Sequence, residues 1–105
     1  MKKLLLIAAF CGLAHAEFRD GNELLSEINS SNSDSRIYSL AYIAGVADAY
    51  RGLTFCPPET VTLGQLRDMV RNYLTNVPAE RHIPADRLIN KVISGTWLCK
   101  RGTGT

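Results

Sequence analysis

Beyond its first sixteen residues the chain keeps two cysteines, Cys56 and Cys99, 43 positions apart. How they are used constrains the fold more than any other feature. In a small exported chain such a pair reads most simply as one disulfide. Closing a loop of that length contributes roughly 4 kcal/mol in the chain-entropy account, a large share of a net stability of about 5–15 kcal/mol. The alternatives are a pair of free thiols or a metal site. Zinc would need two further ligands, and one histidine, His82, remains to supply them.

Export is read from residues 1–16, MKKLLLIAAFCGLAHA. Lys2 and Lys3 precede an apolar run from Leu4 to Leu13, and Ala14-His15-Ala16 closes it with small residues at both ends. This is the three-part pattern of a secretory signal peptide, with cleavage expected after Ala16 and an apolar run too short to span a bilayer. Phe10 before Cys11 is too bulky for a lipoprotein cleavage site. Removing sixteen of the 105 residues leaves 89, a single domain covering residues 17–105. The two lysines go with the leader, so 12 Lys+Arg become ten and match the 10 Asp+Glu. The mature chain has no net charge with which to grip nucleic acid or an anionic membrane, and the periplasm is its expected location.

The hydrophobic periodicity is helical throughout, and four helices follow. Asp20 and Glu23 have capping-box spacing at the start of the first, whose apolar face is Leu24, Leu25 and Ile28. A second, from about Ser35 to Arg51, is apolar on nearly every side. It is expected to be the central, buried element, with Gly45 admitting a close neighbour. Gly52 stops it, and Pro57-Pro58 hold the next segment as a loop. Thr62 and Gln65 cap a third helix whose buried face is Leu63, Leu66, Val70, Tyr73, Leu74 and Val77. Pro78 ends it, and Pro84 opens a fourth that runs to Trp97. With no alternating strand pattern, the expected fold class is all-α: a compact four-helix domain with one disulfide. The aromatic residues Tyr38, Tyr42, Tyr50, Phe55, Tyr73 and Trp97 fall mostly at core spacings.

Little catalytic chemistry is available. With both cysteines oxidised no strong nucleophile remains, and no metal-ligand spacing or Gly-rich phosphate loop occurs. The chain reads as a non-enzyme without cofactor or metal. Asp48 stands out in an apolar helix, where an unpaired buried carboxylate is costly. An ion pair with Arg51 is expected, with Arg81 or His82 as other partners and a partner-facing acid as the functional alternative. Arg81-His82 in the connector is either that internal partner or a recognition element.

Several segments together carry a resemblance: GNELL (Gly21 to Leu25), YIAGVADAY (Tyr42 to Tyr50), FCPPETVTLGQLRDMVRNYL (Phe55 to Leu74), PAERHIPA (Pro78 to Ala85) and WLCK (Trp97 to Lys100). In this order they resemble the Rap/Tai family, immunity proteins of type VI secretion, over nearly the whole mature chain. FC-x-P-x-x-V-T-x-G-Q-L and P-x-x-R-H are its most specific phrases. The resemblance implies a small periplasmic helical protein, often a homodimer. Such a protein binds and blocks an antibacterial effector, typically a peptidoglycan-cleaving amidase. It matches Cys56 and Cys99 to the family's second cysteine pair, and it sets Ile28 and Ser39 where many relatives carry the first. That loss implies a more mobile first helix.

Occlusion needs a rigid patch of about 800 Å² rather than a catalytic group. The Pro-bounded connector, expected to protrude, nominates Asn76, Glu80, Arg81, His82 and Arg87 as partner-binding residues. Two other readings compete: a periplasmic acid-stress chaperone of the HdeA type, and an enzyme built on Asp48 and His82.

Overall fold

The computed structural model describes residues 18–100. The leader assigned to residues 1–16 lies outside them. Four α-helices make up the domain: α1 (Gly21–Ile28), α2 (Ser33–Tyr50), α3 (Leu63–Asn76) and α4 (Ala85–Thr96). A single 3-10 turn, Pro78–Glu80, separates the last two. Among the described residues there are no strands, only isolated bridges.

The first three helices begin where a local side chain satisfies orphan amides. The Asp20 carboxylate accepts from the Glu23 N–H at 2.9 Å, and Asn32 Oδ1 accepts from Asp34 and Ser35. At α3 the capping box is complete. Thr62 Oγ1 accepts from the Gln65 N–H, and Gln65 Oε1 accepts from the Thr62 N–H at 2.7 Å. Pro84 sits one residue before α4, at its N-cap, rather than inside the first turn.

Each helix touches the other three, and the core is their shared axis. Leu24 from α1, Ile43 from α2, Leu74 from α3 and Ile89 and Ile93 from α4 are fully buried, as is Phe55 from the loop after α2. Burying a side chain of this size stabilises the fold by about 1.5–3 kcal/mol.

The second helix is not the all-round buried element that its composition predicts. Only the stripe Ser39, Ile43 and Ala47 is buried. Ile37 is 62% exposed, Tyr38 is 56% exposed, and Ala41, Gly45 and Ala49 also face out. A Cβ on Gly45 would meet nothing within 4 Å, so no neighbour within the chain exploits the missing side chain. The other three helices cover one face of α2, and none is left to cover the opposite one.

The loop after α2 is pinned to the end of α4. Gly52, at φ +83°, turns the chain in the left-handed region that glycine favours. The Tyr50 carbonyl then accepts from Leu53, Thr54 and Phe55. Cys56 is bonded to Cys99 with Cα atoms 4.9 Å apart, and the Cys56 N–H donates to the Trp97 carbonyl at 2.8 Å. Asn90 Oδ1 accepts from the hydroxyls of Thr54 and of buried Ser94.

The entry to α1 is tied to the connector before α4. Gly21 N–H donates to the Ile83 carbonyl, Asn22 N–H to the Arg81 carbonyl, and Ala85 N–H to the Arg19 carbonyl, at 2.9–3.1 Å. The backbones approach closely because position 21 has no side chain. A Cβ there would lie 2.6 Å from Leu88 Cδ1 and 3.0 Å from the Arg81 carbonyl oxygen. Arg19 adds a two-pronged ion pair to Glu27 at 2.7 and 2.9 Å. Where the resemblance sets a first cysteine pair, Ile28 and Ser39 are buried. Ser39 Oγ donates to the Arg36 carbonyl at 2.7 Å. Packing and hydrogen bonds anchor α1 without a sulfur bridge.

Three stability outcomes follow from this packing. Gly21→Ala forces the Cβ against fixed backbone and is expected to lower unfolding stability by about 1–3 kcal/mol in urea titration. Gly95→Ala, whose Cβ would meet nothing within 4 Å in α4, is expected to raise it by about 0.5–1 kcal/mol. Replacing both cysteines by serine is expected to cost about 2–5 kcal/mol in the same measurement. An unchanged midpoint would show that the pinned loop holds without its bond.

Candidate functional site

The residues nominated for partner contact all lie between the end of α3 and the first turn of α4, but their surroundings divide them. Asn76 is exposed and its Nδ2 donates back to the Asn72 carbonyl at 2.8 Å. His82 and Arg87 are exposed. Glu80 is half-buried, accepting from the Tyr73 hydroxyl at 2.6 Å and from Lys91 Nζ at 3.4 Å. The Tyr73 hydrogen bond holds its carboxyl below the usual glutamate range, with Lys91 and His82 adding in the same direction.

Arg81 is committed to the fold. Its Nη1 donates to the Leu74 carbonyl at 3.3 Å, its Nε is buried without an acceptor, and its own carbonyl receives the Asn22 N–H. The expectation of a protruding connector is corrected by the same bonds, because the segment is laid along the entry to α1. Of the five nominated residues, Asn76, His82 and Arg87 remain exposed.

Asp48 is not the buried carboxylate that its setting in the sequence predicts. It is exposed, at a cleft between α2 and the start of α3, and it forms no ion pair with Arg51, Arg81 or His82. Without burial there is no desolvation for a partner to offset. Arg51 instead places its guanidinium 5.6 Å from the Phe55 ring centre. Asp48 and His82 are not brought together by any hydrogen bond or ion pair, so the geometry gives no support to the reading of an enzyme built on them. Among the described residues no group of three His, Cys, Asp or Glu side chains is placed to hold a metal ion. No helix among them is long and apolar enough to cross a membrane.

A second surface, which the sequence reading assigned to the core, is the open face of α2. Ala41, Tyr42, Gly45, Val46, Ala49 and Tyr50 line a shallow groove of about 450 Å³, with Asp86 of α4 at its edge. Burial pushes the Tyr42 phenol above its usual pKa. Arg19 lies 4.3 Å over the Tyr38 ring and 5.7 Å over Tyr42, so one cation caps two aromatic residues beside the groove. The paired Glu27 keeps that guanidinium charged. The sequence signal for this face was present in the excess of apolar positions on α2, more than a small domain can cover.

The Glu80 environment carries a pH signature. A carboxyl whose folded pKa is lowered contributes stability that is present above its unfolded value and lost as pH falls through the folded one. In an NMR titration Glu80 is expected to protonate below the ordinary value of about 4.3, and Tyr73→Phe is expected to move its midpoint up. A midpoint unmoved by Tyr73→Phe would sink the assignment to that hydrogen bond.

No curated protein matches the chain at a significant level. The family model of the Rap1a immunity proteins matches residues 20–99, from the N-cap of α1 to the second cysteine of the disulfide. That match spans all four helices and the connector between the last two, and on it the chain belongs to the Rap1a immunity protein family.

Proposed function

We propose that the mature chain is a periplasmic immunity protein that binds and occludes an antibacterial effector delivered by type VI secretion, a peptidoglycan-cleaving amidase. The observation that carries this reading is the family match over residues 20–99. The leader at residues 1–16 and the Cys56–Cys99 bond support the compartment, because disulfides persist where the environment oxidises. The mechanism is occlusion. A partner is blocked by a surface held in one shape, and the connector is such a surface, fixed by backbone bonds to α1 and by the Tyr73–Glu80–Lys91 contacts.

The active form in this reading is a homodimer joined through α2. Ala41, Gly45 and Ala49 repeat every four residues, so two copies of the helix can cross closely at Gly45. Tyr38 and Tyr42 supply apolar area beside that crossing. The groove is mostly apolar, with Asp86 the one charged residue lining it, so an identical copy can pack against it.

Cells expressing a periplasmic peptidoglycan amidase are expected to survive when the full chain is co-expressed, and Arg87→Glu is expected to weaken that protection. Failure to neutralise any periplasmic amidase tested would remove the effector assignment. In light scattering after size exclusion, the wild-type mature chain is expected at twice the monomer mass. Gly45→Glu is expected at the monomer mass with unchanged helicity. A monomeric wild type would remove the dimer.

A further inference from the structure

A cleft at the N-terminal half of α2, away from the disulfide-pinned loop that follows its C-terminus, brings three arginines around an apolar lining. Arg36 comes from α2, and Arg67 and Arg71 from α3. Ile28, Ile37 and Leu40 form that lining, and the volume is about 220 Å³. The positive charge there is only partly balanced. Asp68 Oδ1 accepts from Arg67 Nε at 3.0 Å and from Arg71 Nη1 at 3.4 Å, and among the described residues it is the one carboxylate within ion-pair distance of any of the three. Arg36 has none, and its Nη1 donates to the Ser30 carbonyl at 2.9 Å. The Arg71 Nε is buried without an acceptor.

We propose that this cleft binds a carboxylate carried beside an aliphatic group on a peptide segment of a partner protein. Each part of that chemistry has its own reason. Arginines of two helices line one opening, and forked donors of this kind match a carboxylate. The lining of Ile28, Ile37 and Leu40 rewards an aliphatic neighbour that a free inorganic anion lacks. The volume is below the 300–1,000 Å³ typical of small-molecule sites, so it takes a side chain or two rather than a metabolite. The cleft thereby names the partner chemistry for the immunity reading on which it rests: an acidic residue next to Leu, Ile or Val on the effector.

The probe is acetyl-leucine, which carries an aliphatic body and one carboxylate. It is followed by NMR on the ¹⁵N-labelled mature chain with the disulfide intact. Shifts are expected at the Arg36, Arg67 and Arg71 Nε–H signals and along residues 33–40, with affinity falling as salt is raised. Acetyl-leucinamide, without the charge, is expected to leave those signals in place. Arg36→Gln and Arg71→Gln are each expected to weaken binding by about tenfold. The spectrum of each variant shows whether it is folded, and exposed Arg36 can be replaced without disturbing the core. Equal shifts from the amide, binding of inorganic phosphate as tight as that of acetyl-leucine, or no shift at all would overturn the proposal. Toxin neutralisation separates the two readings. A folded double variant that protects as well as wild type removes the cleft from effector binding and leaves immunity standing. Failure of the wild type to protect removes immunity itself, while the acetyl-leucine titration still decides the cleft.

Discussion

The junction of Phe55 and Cys56 with Trp97 and Cys99 holds the two halves of the domain together. Phe55 is wholly buried and its ring lies 6.2 Å from that of Trp97. The next residue makes both a covalent bond and a backbone hydrogen bond to the segment that ends α4. A four-helix arrangement of this size has a small core, and the loop between α2 and α3 has no regular structure to stabilise it. Fastening that loop to the last helix turns a flexible connection into part of the core, and it fixes where α3 must start.

A second fastening lies across the molecule, where the entry to α1 shares three backbone hydrogen bonds with the connector before α4. It depends on Gly21, since any side chain there would strike the Arg81 backbone. The two ties close the chain at both ends of the bundle. The connector is then held by backbone hydrogen bonds to α1, and a fixed surface is what the proposed occlusion asks for. A mobile loop would lose conformational entropy on binding that a fixed one has already lost.

Much of this was legible in the residues. The apolar spacing of α3, its Thr62–Gln65 capping box, the Gly52 stop and the pairing of Cys56 with Cys99 need nothing beyond local geometry and redox chemistry. The misreading of α2 has an equally physical origin. Apolar residues on all sides of a helix say that burial is favourable, but not that the same chain supplies the cover. Here three neighbours occupy one face and leave Tyr38, Ala41, Gly45 and Ala49 open. Asp48 was misplaced for the same reason, its burial having been inferred from neighbours in sequence rather than in space.

What the sequence determined by itself is the set of four helices, the caps at Asp20 and Thr62 and the single sulfur bridge, because each rests on contacts between residues within a few positions or on the one possible pairing. Which faces the helices turn to one another was decided only in three dimensions. That choice put Arg81 inside the fold, left His82 and Arg87 outside it, and gathered Arg36, Arg67 and Arg71 around one cleft. Packing selects among faces by total buried area and excluded volume, and both are properties of the assembled bundle that no single helix carries in its sequence.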